Sequence, residues 1–193
     1  MLEDLIWELS EEFENIDPEE DKIKYERLRK KGRYYTDRFV SLFERTDDDD
    51  LRGALVTVLG ELGDKTAVEP LLKVLNNSLE DDLLRFNSAI ALGRLGETRS
   101  VESIIEYFRF TEVTEDLWEI GAWSLMGAIA DIGGDRAKSF LVEMLKHNSD
   151  QIREAASKYL RDFQDDKVVL SLIKALDDSY DLCDGVLLGR WDT

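Results

Sequence analysis

A pattern that returns along the chain constrains the fold more than any other feature. Leu51-Arg52-Gly53-Ala54, continuing to Leu59-Gly60-Glu61-Leu62-Gly63-Asp64, reappears as Leu84-Arg85-Phe86-Asn87, continuing to Leu92-Gly93-Arg94-Leu95-Gly96-Glu97. A looser copy runs from Gly121 to Gly134, another from Ile152 to Phe163, and a partial one from Asp181 to Trp191. The spacing between copies is about 28 to 37 residues, a period that signals a stacked array of supersecondary units.

Each of the first four copies is followed by a second apolar stripe at steps of three and four, which puts one face of a helix against a core. The stripes are Val68, Leu71, Leu72 and Leu75; Val101, Ile104, Ile105 and Phe108; Ala137, Phe140, Leu141 and Met144; and Val169, Leu172, Ile173 and Leu176. Local signals agree with a helix-turn-helix unit. Gly63 and Gly96 stand where a left-handed residue closes a helix, and Gly60-x-x-Gly63 and Gly93-x-x-Gly96 read together as helix termination. Thr66-Ala67-Val68-Glu69 has the form of a capping box. Thr46 to Asp50 and Ser149-Asp150 supply N-terminal caps.

With only two prolines, Pro18 and Pro70, the predicted class is all-α: a right-handed α-α superhelix, a solenoid of antiparallel helix pairs. One domain is expected over 1–193, with a divergent cap and first repeat in 1–45, repeats in 46–178 and a half-repeat in 179–193. Within the cap, Leu2, Leu5, Ile6, Leu9, Phe13 and Ile16 form one stripe. Asp17-Pro18 reads as a cap followed by a first helical residue. Phe39, Val40 and Phe43 fit the second-helix pattern. Between them Lys22–Arg33 carries seven basic residues, against ten acids in residues 3–21, so mutual neutralisation is expected.

The Leu-Arg-x-x-Ala/Leu first helix ending in Leu-Gly-x-Leu-Gly-Asp/Glu, followed by a short Ala/Ser-Val-x-Pro/Ser-Leu/Ile-Leu/Ile helix, resembles the HEAT-like repeats of the phycobilisome lyase type. The resemblance covers residues 46–178, with Ala122 standing where Arg52, Arg85 and Arg153 occupy the other copies. It implies a binding scaffold, and a bilin only if the chain is a lyase-type subunit or maturation factor.

Charge and composition narrow the function. A formal net charge of -18 repels phosphate backbones and argues against nucleic acid as a partner. His147 is the one histidine and Cys183 the one cysteine, too few for a Cys/His zinc centre. The glycine pairs follow helices and lack a P-loop lysine, and Asp47–Asp50 lacks the glycine of a calcium loop. No catalytic residue, metal or cofactor is expected. No apolar run reaches the roughly 18 residues needed to span a bilayer, and the N-terminus lacks a basic leader, so a cytoplasmic location is expected.

The functional expectation is a non-enzymatic, acidic module that binds a protein with a basic surface, as a chaperone or an immunity-type inhibitor. The alternatives are the lyase-type subunit and a structural scaffold of a larger complex. Second helices of such arrays line the binding side. The candidate partner-binding residues are therefore Glu69, Lys73, Glu102, Glu106, Tyr107, Phe110, Trp118 and Glu143, with Tyr107 as an aromatic anchor.

Overall fold

The computed structural model describes residues 2–18, 20–111 and 118–163, and the side chains of all of these but 118–120 and 162. Every regular element among them is helical, as the repeat predicts. The stripe at Val169–Leu176, Cys183, Trp191 and the half-repeat 179–193 lie outside the described residues. The chain divides into two compact units, Met1–Gly133 and Gly134–Thr193. No helix among the described residues is long and apolar enough to cross a membrane.

The first unit holds eight helices among its described residues: α1 (Leu2–Glu14), α2 (Lys22–Arg33), α3 (Thr36–Phe43), α4 (Asp49–Leu62), α5 (Val68–Asn76), α6 (Asp82–Leu95), α7 (Val101–Thr111) and α8 (Trp118–Ile132). The repeated segments α4, α6 and α8 stack in sequence, and α1 joins that layer against α4. The second helices α5 and α7 pack on the first helices that follow them, α6 and α8, and α3 packs on α4. Thus α1 and α3 play the two parts of a first repeat, and α2 is inserted between them.

The core follows the predicted stripes. Ile6, Leu9, Phe39, Leu55, Leu59, Leu71, Leu75, Leu92, Ile104 and Phe108 are fully enclosed, each contributing about 1.5–3 kcal/mol by burial. Backbone geometry separates the paired glycines into two roles. Gly63 and Gly96 close their helices at φ 68 and 61. Gly60 and Gly93 lie inside helices, where a Cβ would stand 2.8 Å from Ala91 Cα and 2.6 Å from Ala128 Cα. They do not terminate anything; they let neighbouring first helices touch backbone to backbone.

The caps also differ in part from the sequence pattern. Asp48 Oδ1 accepts the Leu51 N–H at 3.0 Å and Asp81 Oδ1 accepts those of Leu83 and Leu84, which anchors α4 and α6. The Thr66 capping box does not form. Asp64 accepts both the N–H and the hydroxyl of Thr66 at 3.0 Å, and a 3₁₀ turn at Lys65–Ala67 runs straight into α5. Pro18 is likewise not a first helical residue. Asp17 accepts the Glu20 N–H in a turn, and Asp21 is the residue that caps α2.

The basic helix α2 is held by more than acid-base neutralisation with α1. Lys31 Nζ meets Glu8 at 2.8 Å, but Arg33 Nε donates to the Leu62 carbonyl at 2.8 Å and the Arg29 guanidinium packs against Gly63. Both arginines thus sit at the C-terminal pole of α4, where unpaired carbonyls favour cations. Gly32 seats α2 on Leu62, whose side chain occupies the place a Cβ would need.

In the second unit, α9 (Gly134–Met144) packs against α10 (Asp150–Leu160). Phe140 and Leu141 of α9 and Ile152, Ala155, Ala156 and Leu160 of α10 are all buried. Ser149 occupies the cap position of α10 without a capping bond from its side chain. Arg153 closes the turn instead, donating to the carbonyls of His147 and Asn148 at 2.8 and 3.0 Å.

Candidate interaction surface

The sequence places six of its candidate residues on α5 and α7. Four of them, Glu69, Lys73, Glu102 and Glu106, are exposed, and the local ion pairs show how their charge is distributed. Glu69 pairs with Arg99, Lys73 with Glu44 at 3.6 Å, and neighbouring Lys65 with Glu97 at 3.3 Å. Exposed pairs of this kind are worth about 0–1 kcal/mol. They do, however, neutralise part of a strip that would otherwise look acidic. Glu143 is exposed on α9, in the second unit. Trp118 opens α8, but its side chain is outside the described residues.

Tyr107 is a correction. It is 4% exposed, its hydroxyl donates to the Asp82 carbonyl at 3.0 Å, and the Arg85 guanidinium lies 4.8 Å from its ring. It is a core residue and presents no face to a partner. Val74, at the matching position of α5, is buried too. The apolar face of the second helices is one position wider than the two-and-one stripe suggests. Burial pushes the Tyr107 hydroxyl up to about 12, with Asp82 and Asp81 adding to the effect and Arg85 opposing it. Phe110, by contrast, is 58% exposed, with the Arg85 guanidinium 5.5 Å from its ring.

The edge where one repeat passes to the next was not anticipated as a surface. There the α3–α4 and α5–α6 connections come together around an open groove of about 390 Å³. Phe43, Pro70 and Val74 line it beneath a rim that includes Glu44, Asp47 and the Arg52–Glu80 pair. Arg52 donates to both Glu80 carboxylate oxygens at 2.9 Å, a bidentate geometry that fixes orientation as well as charge. Its guanidinium also lies 5.6 Å from the Phe43 ring. The Glu80 hydrogen bonds hold the Arg52 pKa above its ordinary value, against the opposing cost of burial. Leu79 and Leu83, which bracket the acids Glu80–Asp82, are 92% and 67% exposed. The signal for this edge was present in Arg52 and in Leu79-x-x-x-Leu83, which fall outside both repeat stripes.

At the opposite ends of the first helices, Glu61 of α4 is 9% exposed. Tyr25 Oη donates to its Oε2 at 2.5 Å, and Arg94 of α6 pairs with its Oε1. Asp131 of α8 follows in the same row; burial raises its pKa and Arg94 opposes that rise. Among the described residues, no group of three or more His, Cys, Asp or Glu is placed to hold a metal ion.

Comparison with known proteins agrees with the helix-pair architecture. Residues 36–117, from α3 past the end of α7, match the family model described as HEAT repeats. This supports a HEAT-like repeat protein, a class that generally mediates protein–protein interaction. No curated protein matches the chain.

Proposed function

We propose that this chain is a non-enzymatic protein-binding module whose partner presents a basic surface, and that it acts on that partner as a chaperone or an immunity-type inhibitor. The observation that carries the reading is a net charge of -18 on a helical-repeat scaffold. Such a field raises the encounter rate with a positively charged protein and disfavours acidic ones. Acids gather at the inter-repeat turns, at Asp47–Asp50 and Glu80–Asp82, where Glu80 pairs with Arg52 and Asp82 with Arg85 and the others add to the negative field.

Salt tests this directly. A partner bound to the full chain at low ionic strength should be released steeply as salt rises, because exposed charges are screened over about 8–10 Å near physiological strength. Retention that does not change with salt would overturn the basic-partner reading.

The repeat sequence Leu51–Leu75 supports a second reading, a lyase-type subunit of the phycobilisome repeat class. Mixing the purified protein with a linear tetrapyrrole should then shift its visible absorbance. An unchanged spectrum removes that reading.

A further inference from the structure

The groove at the inter-repeat edge has features that the second-helix face lacks. Its floor is apolar, made by buried Phe43, Pro70 and Val74. Its two cations are already engaged, Arg52 by both oxygens of Glu80 and Lys73 by Glu44. Asp47 on the rim is exposed, with its charge acting on Arg52, and exposed Asp49 and Asp50 follow it. The edge therefore offers concavity, a partly apolar floor under a polar rim, and net negative charge in one place. Beyond Glu80 it continues into exposed Leu79 and Leu83. At the C-terminal end of α7, exposed Phe110 lies against the same Arg85 that pairs with Asp82 at 3.2 Å.

From this arrangement we propose that the groove between α3, α4 and α5 seats a lysine or arginine of a protein partner, and that an apolar side chain beside it on the partner covers Leu79 and Leu83. A long basic side chain suits such a site because its methylene stem covers apolar surface while its head keeps polar contacts. The Phe43–Pro70–Val74 floor takes the stem, and the Asp47 carboxylate takes the head. A neutral side chain would leave the acids uncompensated, and an acidic one would be repelled. The Arg52–Glu80 pair acts as a wall that positions the rim. The inference rests on the basic-partner reading and adds where on the molecule that partner docks.

The probe is a short helical peptide bearing arginine and leucine on one face, titrated into the isotopically labelled full chain and followed by backbone amide shifts. A matched peptide carries citrulline in place of arginine. The expected result is saturable shifts concentrated at 43–52 and 77–83 with the arginine peptide and not with the citrulline one. Asp47→Lys combined with Asp50→Lys should weaken binding by about tenfold or more, while Glu102→Lys with Glu106→Lys should change it far less. Helical circular dichroism confirms that each variant is folded. Saturable shifts centred on Glu102 and Glu106 would overturn the groove and keep the basic-partner reading. Equal binding of the citrulline peptide would overturn the cation seat. No saturable shift anywhere would overturn both.

Discussion

The Tyr25 hydroxyl donates a 2.5 Å hydrogen bond to Glu61 Oε2, joining the inserted helix α2 to the first-helix layer. The other oxygen of the same carboxylate holds Arg94 of α6, so one nearly buried acid ties three helices. Removing it strands two partners at once. Glu61→Ala is expected to cost about 2–3 kcal/mol in urea unfolding, and Tyr25→Phe, which removes one donor only, about 1 kcal/mol.

Alkaline pH should expose the same contact. Tyr25 is pushed up to about 12 by burial first and by Glu61 second, and Tyr107 to about 12 by burial first. In the folded chain both stay protonated where an unfolded tyrosine, with its pKa of about 10, has already ionised. Between pH 10 and 12 the unfolded state then binds fewer protons, so stability falls as pH rises through that window and is fully present below it. Thermal unfolding followed by circular dichroism should show this decline, and Tyr25→Phe with Tyr107→Phe should flatten it.

Two glycines of α4 predict opposite outcomes for one substitution. A Cβ at Gly60 meets the Ala91 backbone, whereas a Cβ at Gly53 finds nothing within 4 Å. Gly60→Ala is expected to destabilise by about 1–3 kcal/mol, since the backbone of α6 must move. Gly53→Ala should stabilise by about 0.5–1 kcal/mol through helix propensity alone. Equal effects in denaturant titrations would contradict the close approach of α4 and α6.

The aromatic residues of α7 divide in the same way. Tyr107→Ala should cost about 3–5 kcal/mol, as expected for a large enclosed ring. Phe110→Ala, more than half exposed, should stay within about 0.5 kcal/mol of the parent. Comparing the two midpoints checks which one belongs to the core.

Most of the fold was legible because repetition and apolar spacing are one-dimensional signals. Leu51–Gly63 and Leu84–Gly96 announced both the helices and their left-handed ends. Less of the site was legible, since exposure depends on what a neighbouring helix covers. Tyr107 occupied a position between stripe residues and read as surface, yet its hydroxyl reaches a carbonyl 25 positions away. Gly60 and Gly93 looked like stop signals because a tight turn and a tight helix contact ask for the same residue. The Arg52–Glu80 pair spans 28 positions; the repeat marks Arg52, but nothing local marks Glu80 as its partner. The arginines of α2 read as partners for nearby acids, whereas two of them answer the carbonyl end of α4, a demand that arises only once α2 has docked there.

Glu61, Arg94 and Asp131 hold the same place in three successive copies of the Gly/Ala-x-Leu/Ile-Gly ending. Their signs alternate, so each copy is complementary to the one beside it and repulsive towards a duplicate of itself. Inserting a second α6-type unit would set arginine beside arginine, and deleting α6 would bring two carboxylates together. Charge in this row thus favours the order in which α4, α6 and α8 stand.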